Sequence, residues 1–138
     1  MRRLAELLTL WLIGGAVYYG IEMLWRGYSH PSMFIVGGLC FLAVGAINNC
    51  LSWELGIVWQ SLIGAGIITV VELVAGIVFN VWLGLGVWDY SALPLNFMGQ
   101  ICLWFTLLWI PIAAFAIWLD DWCRHILFRE RRPRYTWF

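Results

Sequence analysis

The chain has 138 residues, 63% of them hydrophobic and 12% charged, with a formal net charge of zero. Soluble domains carry about 45–50% apolar and about 25% charged residues, and a fold of this length has too little interior to hide such an excess, so lipid is its solvent. There is no lysine, which excludes the phosphate-binding loop G-x-x-x-x-G-K-[ST] and Schiff-base chemistry, and the zero net charge gives nucleic acid no electrostatic hold.

A helix needs about 20 apolar residues to cross the hydrocarbon core. Four segments qualify, at about 4–25, 33–51, 55–85 and 97–118 or slightly beyond, so the expected fold is all-α and polytopic with four transmembrane helices. The third run is too long for one upright span and must tilt, break near Gly76, or finish as a helix in the interface. Met1-Arg2-Arg3 before an apolar run has the outline of a signal peptide. However, the run is long and no A-x-A site follows, so this segment is expected to be a retained helix. Trp25, Trp53, Trp82, Trp88, Trp118 and Trp122 fall near expected helix ends, as interfacial anchors do.

Arg2 and Arg3 precede the first helix, five of the eight arginines follow the fourth, and Arg26 alone lies in a connecting loop. An even number of spans puts both termini on one side, and the arginine bias makes that side cytoplasmic at the plasma (inner) membrane. The stretch from Arg124 to Arg134 reads as a basic tail suited to anionic lipid or a cytoplasmic partner.

Displaced by 50 residues, Leu12-Ile13-Gly14-Gly15 meets Leu62-Ile63-Gly64-Ala65, and Glu22 meets Glu72. Displaced by 62, Tyr28-Ser29 meets Tyr90-Ser91, Gly37 meets Gly99 and Cys40 meets Cys102. The chain thus reads as a single transmembrane domain, 1–138, of two tandem helix-loop-helix repeats, about 4–51 and 55–120, with a tail at 121–138. Two spans per repeat give both copies one orientation and a pseudo-two-fold axis along the membrane normal.

Glu22 and Glu72 are carboxylates inside apolar spans, where a charge costs at least about 2.5 kcal/mol and marks a cavity, a partner or a proton site. Ser61, Ala65, Thr69, Glu72, Gly76 and Asn80 recur at helical spacing as one polar and small stripe. Gly15, Tyr18 or Tyr19, Glu22 and Arg26 form another, and the two stripes are expected to face each other. Glu22, Glu72, Thr69, Tyr18 and Asn80 are therefore the candidate ligand or ion site. One reading has Glu22 paired with Arg26 and Glu72 bonded to hydroxyls or indole N–H groups; the other has the carboxyls exchange protons or bind a cation. Arg26, His30, Asp89, Tyr90 and Ser91 form a candidate outer polar cluster. His30 and His125 fall on opposite sides, and Cys40, Cys50, Cys102 and Cys123 make no C-x-x-C, so no metal or cofactor is expected. No nucleophile, base and oxyanion donor converge, so no enzymatic activity is expected.

Val87-Trp88-Asp89-Tyr90-Ser91 followed by Leu95-Asn96-Phe97-Met98-Gly99-Gln100-Ile101-Cys102-Leu103 resembles the ABC-transporter type IV (CmpB-like) integral membrane family. Gly20-Ile21-Glu22, Arg26-Gly27-Tyr28-Ser29 and Gly37-Gly38 are similar to its first half. The resemblance implies a small polytopic membrane protein. Because this chain carries no nucleotide-binding loop, an ATPase would be a separate subunit, and four spans would assemble as a homo-oligomer to make a permease. A small transporter or channel component is the leading expectation; a non-transporting scaffold or sensor, with structural glutamates, is the alternative.

Overall fold

Long apolar runs become helices, with glycines inside the first three spans and Pro111 inside the last. The computed structural model describes residues 1–51 and 54–138. In it α1 is Arg2–Arg26, α2 is Pro31–Gly45, α3 is a single turn at Ile47–Cys50 and α4 is Ile57–Gly76. A π-helical stretch, Ile77–Trp82, continues α4, and α5 is Leu103–Phe128. Between them β1 (Asn96–Phe97) pairs antiparallel with β2 (Ile101–Cys102). Arg2–Arg26, Pro31–Cys50, Ile57–Trp82 and Leu103–Phe128 are long and apolar enough to cross a membrane. The shortest, 20 residues, covers about 30 Å, the thickness of the hydrocarbon core.

Local chemistry sets the joints. Gly27 takes a left-handed φ of 78° and donates its N–H to the Met23 carbonyl, closing α1. Pro31 opens α2, and the His30 ring accepts the Ser32 N–H as its N-cap. The long third run neither breaks nor bends into the interface. Its helix widens after Gly76, where Leu83 N–H reaches back five residues to the Val78 carbonyl at 3.0 Å.

The fourth helix departs from expectation at both ends. Residues 97–102 form the small hairpin instead, because Asn96 captures its own surroundings: Nδ2 donates to the Ser91 and Leu93 carbonyls and Oδ1 accepts the Gly99 N–H. Leu95, Met98 and Gly99 there have positive φ, which no helix tolerates. At the other end α5 runs to Phe128, past the expected close at or slightly beyond Trp118, so 121–128 are helix and not tail. Asp120 and Asp121 interrupt the apolar pattern without interrupting the backbone.

Glycines bring the helices together. A Cβ at Gly15 would meet the Phe34 carbonyl, one at Gly37 the Tyr18 side chain, and one at Gly38 the Trp11 carbonyl, each 2.6 Å away. On the other hairpin Gly64 sits against Ala113 and Val44. Hence α1 packs on α2 and α4 on α5, while α2 also touches α4 and α5 and is central. The two polar stripes therefore turn toward α2 and α5, not toward each other, because the closest approach available to α1 is the glycine face of α2. The main core is Val44, Ile47, Ala65, Ile68, Trp109, Ala113 and Ile117. Gly45 lies directly against the Asp120 carboxylate, so α2 and α5 finish at the same end of the bundle. Both termini are at that end, and the connections 27–30 and 83–102 form a cap at the other. Leu24, Val70 and Trp104 point outward with more than half their surface exposed, which suits a lipid surround.

The last ten residues are not a free tail. Arg129, at φ 59°, turns the chain back, and the Thr136 and Trp137 carbonyls accept the Ile57 and Val58 N–H groups at 2.7 and 3.2 Å. The C-terminal segment thereby satisfies the open N–H groups of α4. Trp25 and Trp82 are 76% and 74% exposed at the capped end, as anchors are. Trp88 is buried at 8%, its indole N–H bonded to the Gln100 carbonyl at 3.0 Å, so it is part of the cap core and not an anchor. Trp53 lies outside the described residues.

Candidate functional site

Each hairpin carries one buried glutamate near the capped end. Glu22 lies one turn before the end of α1, and helical spacing alone brings Arg26 to it: Arg26 Nη1 donates to Oε1 at 2.5 Å. The Ser29 hydroxyl donates to Oε2 at 3.3 Å. Arg26 also bonds the Tyr28 hydroxyl and the Val87 carbonyl, tying α1 to the cap.

Glu72 has no cation partner among the described residues. Its Oε1 accepts the Tyr90 hydroxyl at 2.8 Å and its Oε2 the Trp109 indole N–H at 3.0 Å, so α4, the cap and α5 meet on one carboxylate. Tyr90 is held by stacking on Phe105, 4.7 Å between ring centroids. Burial and then the Glu72 charge push the Tyr90 phenol far above its ordinary range, so it remains a donor. A narrow cavity of about 70 Å³ runs along this group, lined by apolar side chains of all four spans together with Tyr18, Trp88, Trp109 and Glu72. Glu22 is not on its wall.

The other candidates divide. Tyr18 borders the cavity, 6.2 Å from the Trp109 ring. Thr69 donates to the Ala65 carbonyl and lies 3.4 Å from the Thr106 hydroxyl, one turn from Glu72. Asn80 works in the cap: Nδ2 donates to Gln100 Oε1 and Oδ1 accepts the Val87 N–H, which pins the π-helical stretch to the loop. The expected outer cluster does not form as one unit. Arg26 turns to Glu22, His30 caps α2 with Ser32, and Tyr90 points inward to Glu72. Asp89 is occupied by its local turn, accepting from the Ser91 N–H and hydroxyl, which holds its carboxyl below the ordinary range. Local turns claim His30 and Asp89, and the two glutamates claim Arg26 and Tyr90, before these side chains can reach one another.

A second buried polar layer lies at the terminal end, and the sequence pattern passes over it. Asp120 and Asp121 are 0% and 4% exposed, with Asn48 at 4%, Gln60 at 0% and Ser61 at 3%. Arg124 donates to Asp120 Oδ2 at 2.7 Å, while Asn48 Nδ2 and the Tyr135 hydroxyl both donate to Asp121 Oδ2. The available signal was an acidic pair continuing an apolar helix with arginine four residues on. Among the described residues no three His, Cys, Asp or Glu side chains are grouped to hold a metal.

The W-D-Y-S and N-F-x-G-Q strings are the cap itself. Gly99 presses on the Asp89–Ser91 turn, where a Cβ would lie 2.6 Å from Ser91 Oγ. No curated protein and no solved structure matches the chain. The family model described as "Putative ABC-transporter type IV" matches residues 10–134, which takes in both hairpins, both glutamates and the cap, and the chain belongs to that family.

Proposed function

We propose that this chain is the membrane-embedded component of a transport system and that Glu72 is the group that takes up and releases a proton or small cation. The observation that carries this is the position of Glu72. It is a buried carboxylate with no cation partner among the described residues, on the wall of an apolar cavity between the spans. Glu22 is the static member of the pair, neutralised by Arg26. Exchange at Glu72 changes what Tyr90 and Trp109 bond to, and so couples the cavity to the cap and to α5.

Several further features belong to the same reading. The chain is two tandem repeats about a pseudo-two-fold axis along the membrane normal. In support, each glutamate accepts a hydroxyl from the Tyr-Ser pair of its own unit, Ser29 for Glu22 and Tyr90 for Glu72. A cavity of about 70 Å³ is too narrow for a solute path, so copies of the chain assemble. The termini face the cytoplasm at the plasma membrane, by the arginine bias, and offer that face to anionic lipid or to a separate ATPase. The protein moves its substrate unchanged and is not an enzyme.

The rival reading is a scaffold in which both glutamates are structural, favoured by the two donors already seated on Glu72. Carbodiimide labelling in lipid, read by mass spectrometry, separates the two. Transport predicts that Glu72 reacts in the folded protein while Glu22 does not, and that Glu72→Gln abolishes flux in proteoliposomes without unfolding the chain. If Glu72 stays unlabelled until the protein is denatured, the scaffold reading replaces this one.

A further inference from the structure

The buried layer at the terminal end contains an imbalance that the Glu72 site does not share. Three acceptor oxygens there, Asp120 Oδ1, Asn48 Oδ1 and Gln60 Oε1, have no hydrogen-bond donor among the described residues. Their residues are 0%, 4% and 0% exposed. Most buried side-chain polar atoms find a partner, and each exception calls for a reason. All three orphans are oxygens, and they come from three different helices, α5, α3 and α4.

Packing places them in one layer. Gly64 touches Ala113, Val44 and Ile47, which sets α4 level with α5 and α2 at that height. One turn nearer the terminal end on α4 is Gln60, and Asn48 directly follows Ile47. On α5, Ile117 and then Asp120 come next. Asn48 is bonded across to Asp121 at 2.6 Å, and the Asp120 carboxylate rests on the Gly45 backbone. The charges do not balance either. Two buried carboxylates, Asp120 and Asp121, face one cation among the described residues, Arg124, which occupies Asp120 Oδ2. The partners of Asp121, Asn48 and Tyr135, are neutral donors. Glu130, 3.9 Å from Arg124, adds a further acid at the rim.

Two buried carboxylates with one arginine among the described residues, beside carboxylate and amide oxygens without donors on three helices that meet at this end, match the ligand preference of a hard cation. We propose that Asp120 Oδ1, Asn48 Oδ1 and Gln60 Oε1 form a site for one monovalent metal cation of the sodium class, which clamps α3, α4 and α5 at the terminal end. The site is remote from Glu72 and stands whether or not Glu72 exchanges protons.

The test is thermal unfolding of the full chain in nanodiscs, titrated with sodium chloride against choline chloride at constant ionic strength, so that general screening cancels. Sodium should raise Tm in a saturable way and choline should not, because an ion that binds only the folded state stabilises it with the logarithm of its concentration. Asn48→Ala should move the sodium midpoint upward by about tenfold or more, and Asp120→Asn should abolish the shift. Should Asp120→Asn not fold, sodium NMR line broadening on the native protein, retained in Glu72→Gln and lost in Gln60→Leu, gives the same answer. Equal Tm in sodium and choline, a preference for calcium, or a Tm that follows pH but not sodium would each overturn the site. The last outcome would assign a bound proton to Asp120 instead.

Discussion

At the scale of single residues, the two glutamates show how the same side chain at matching positions acquires different surroundings. Glu22 meets its arginine four residues later on its own helix, so the pair forms as soon as α1 does. Glu72 depends on Tyr90 and Trp109, 18 and 37 residues away. Removing one partner of a buried ion pair leaves an uncompensated charge, so Arg26→Ala should destabilise the protein by about 3 kcal/mol or more. Trp109→Phe keeps most of the ring but deletes the donor to Glu72, and about 1–3 kcal/mol is the expected loss. Both are measured as shifts of reversible unfolding in mild detergent. If Arg26→Ala melts with the parent protein, Glu22 is neutral or has another partner.

At the scale of elements, the glycines of the α1–α2 hairpin and those of α4 are not equivalent. Gly38 is buried against the Trp11 backbone and indole, whereas Gly66 on α4 has open space where its Cβ would be. Gly38→Ala should therefore force the hairpin apart and lower stability. Gly66→Ala should be neutral or raise it, by up to about 1 kcal/mol, the helix-propensity difference. The two substitutions are chemically identical, so comparing their melting temperatures isolates packing from propensity. The π-helical stretch is a second test. Asn80 bonds both Gln100 and Val87, and Asn80→Ala should release the 83–102 cap, seen as faster amide exchange at Val87 with exchange in α2 unchanged.

At the scale of the whole molecule, the C-terminal segment closes the bundle. Deleting residues 135–138 removes the carbonyls bonded to Ile57 and Val58 and the Tyr135 hydroxyl on Asp121. Exchange protection at the start of α4 should fall and the whole bundle should melt earlier. Replacing Arg131, Arg132 and Arg134 with glutamine should leave melting unchanged, since these side chains are exposed. It should weaken binding to vesicles of anionic lipid, where each basic residue contributes about 1 kcal/mol. A stability loss equal to that of the truncation would show that the arginines themselves hold the segment down.

The sequence by itself determined the solvent and the number of spans, and it offered the Glu22–Arg26 pair as one of two readings. The reason is that hydropathy over about 20 residues and contacts at i,i+4 are local quantities. It also marked the W-D-Y-S and N-F-x-G-Q strings, whose residues build the cap. Only the tertiary structure decided the rest. Helical stripes say which faces are polar but not which helix each face meets, and the glycine surfaces of α1 and α2 decided that. The terminal layer of Asn48, Gln60, Asp120 and Asp121 draws on three segments spread over 73 residues, each polar residue unremarkable alone. The expected boundary between the second repeat and the basic tail falls between Asp120 and Asp121, because hydropathy registers a charge as an end. In the folded chain, Arg124, Asn48 and Tyr135 supply the partners that allow the helix to continue.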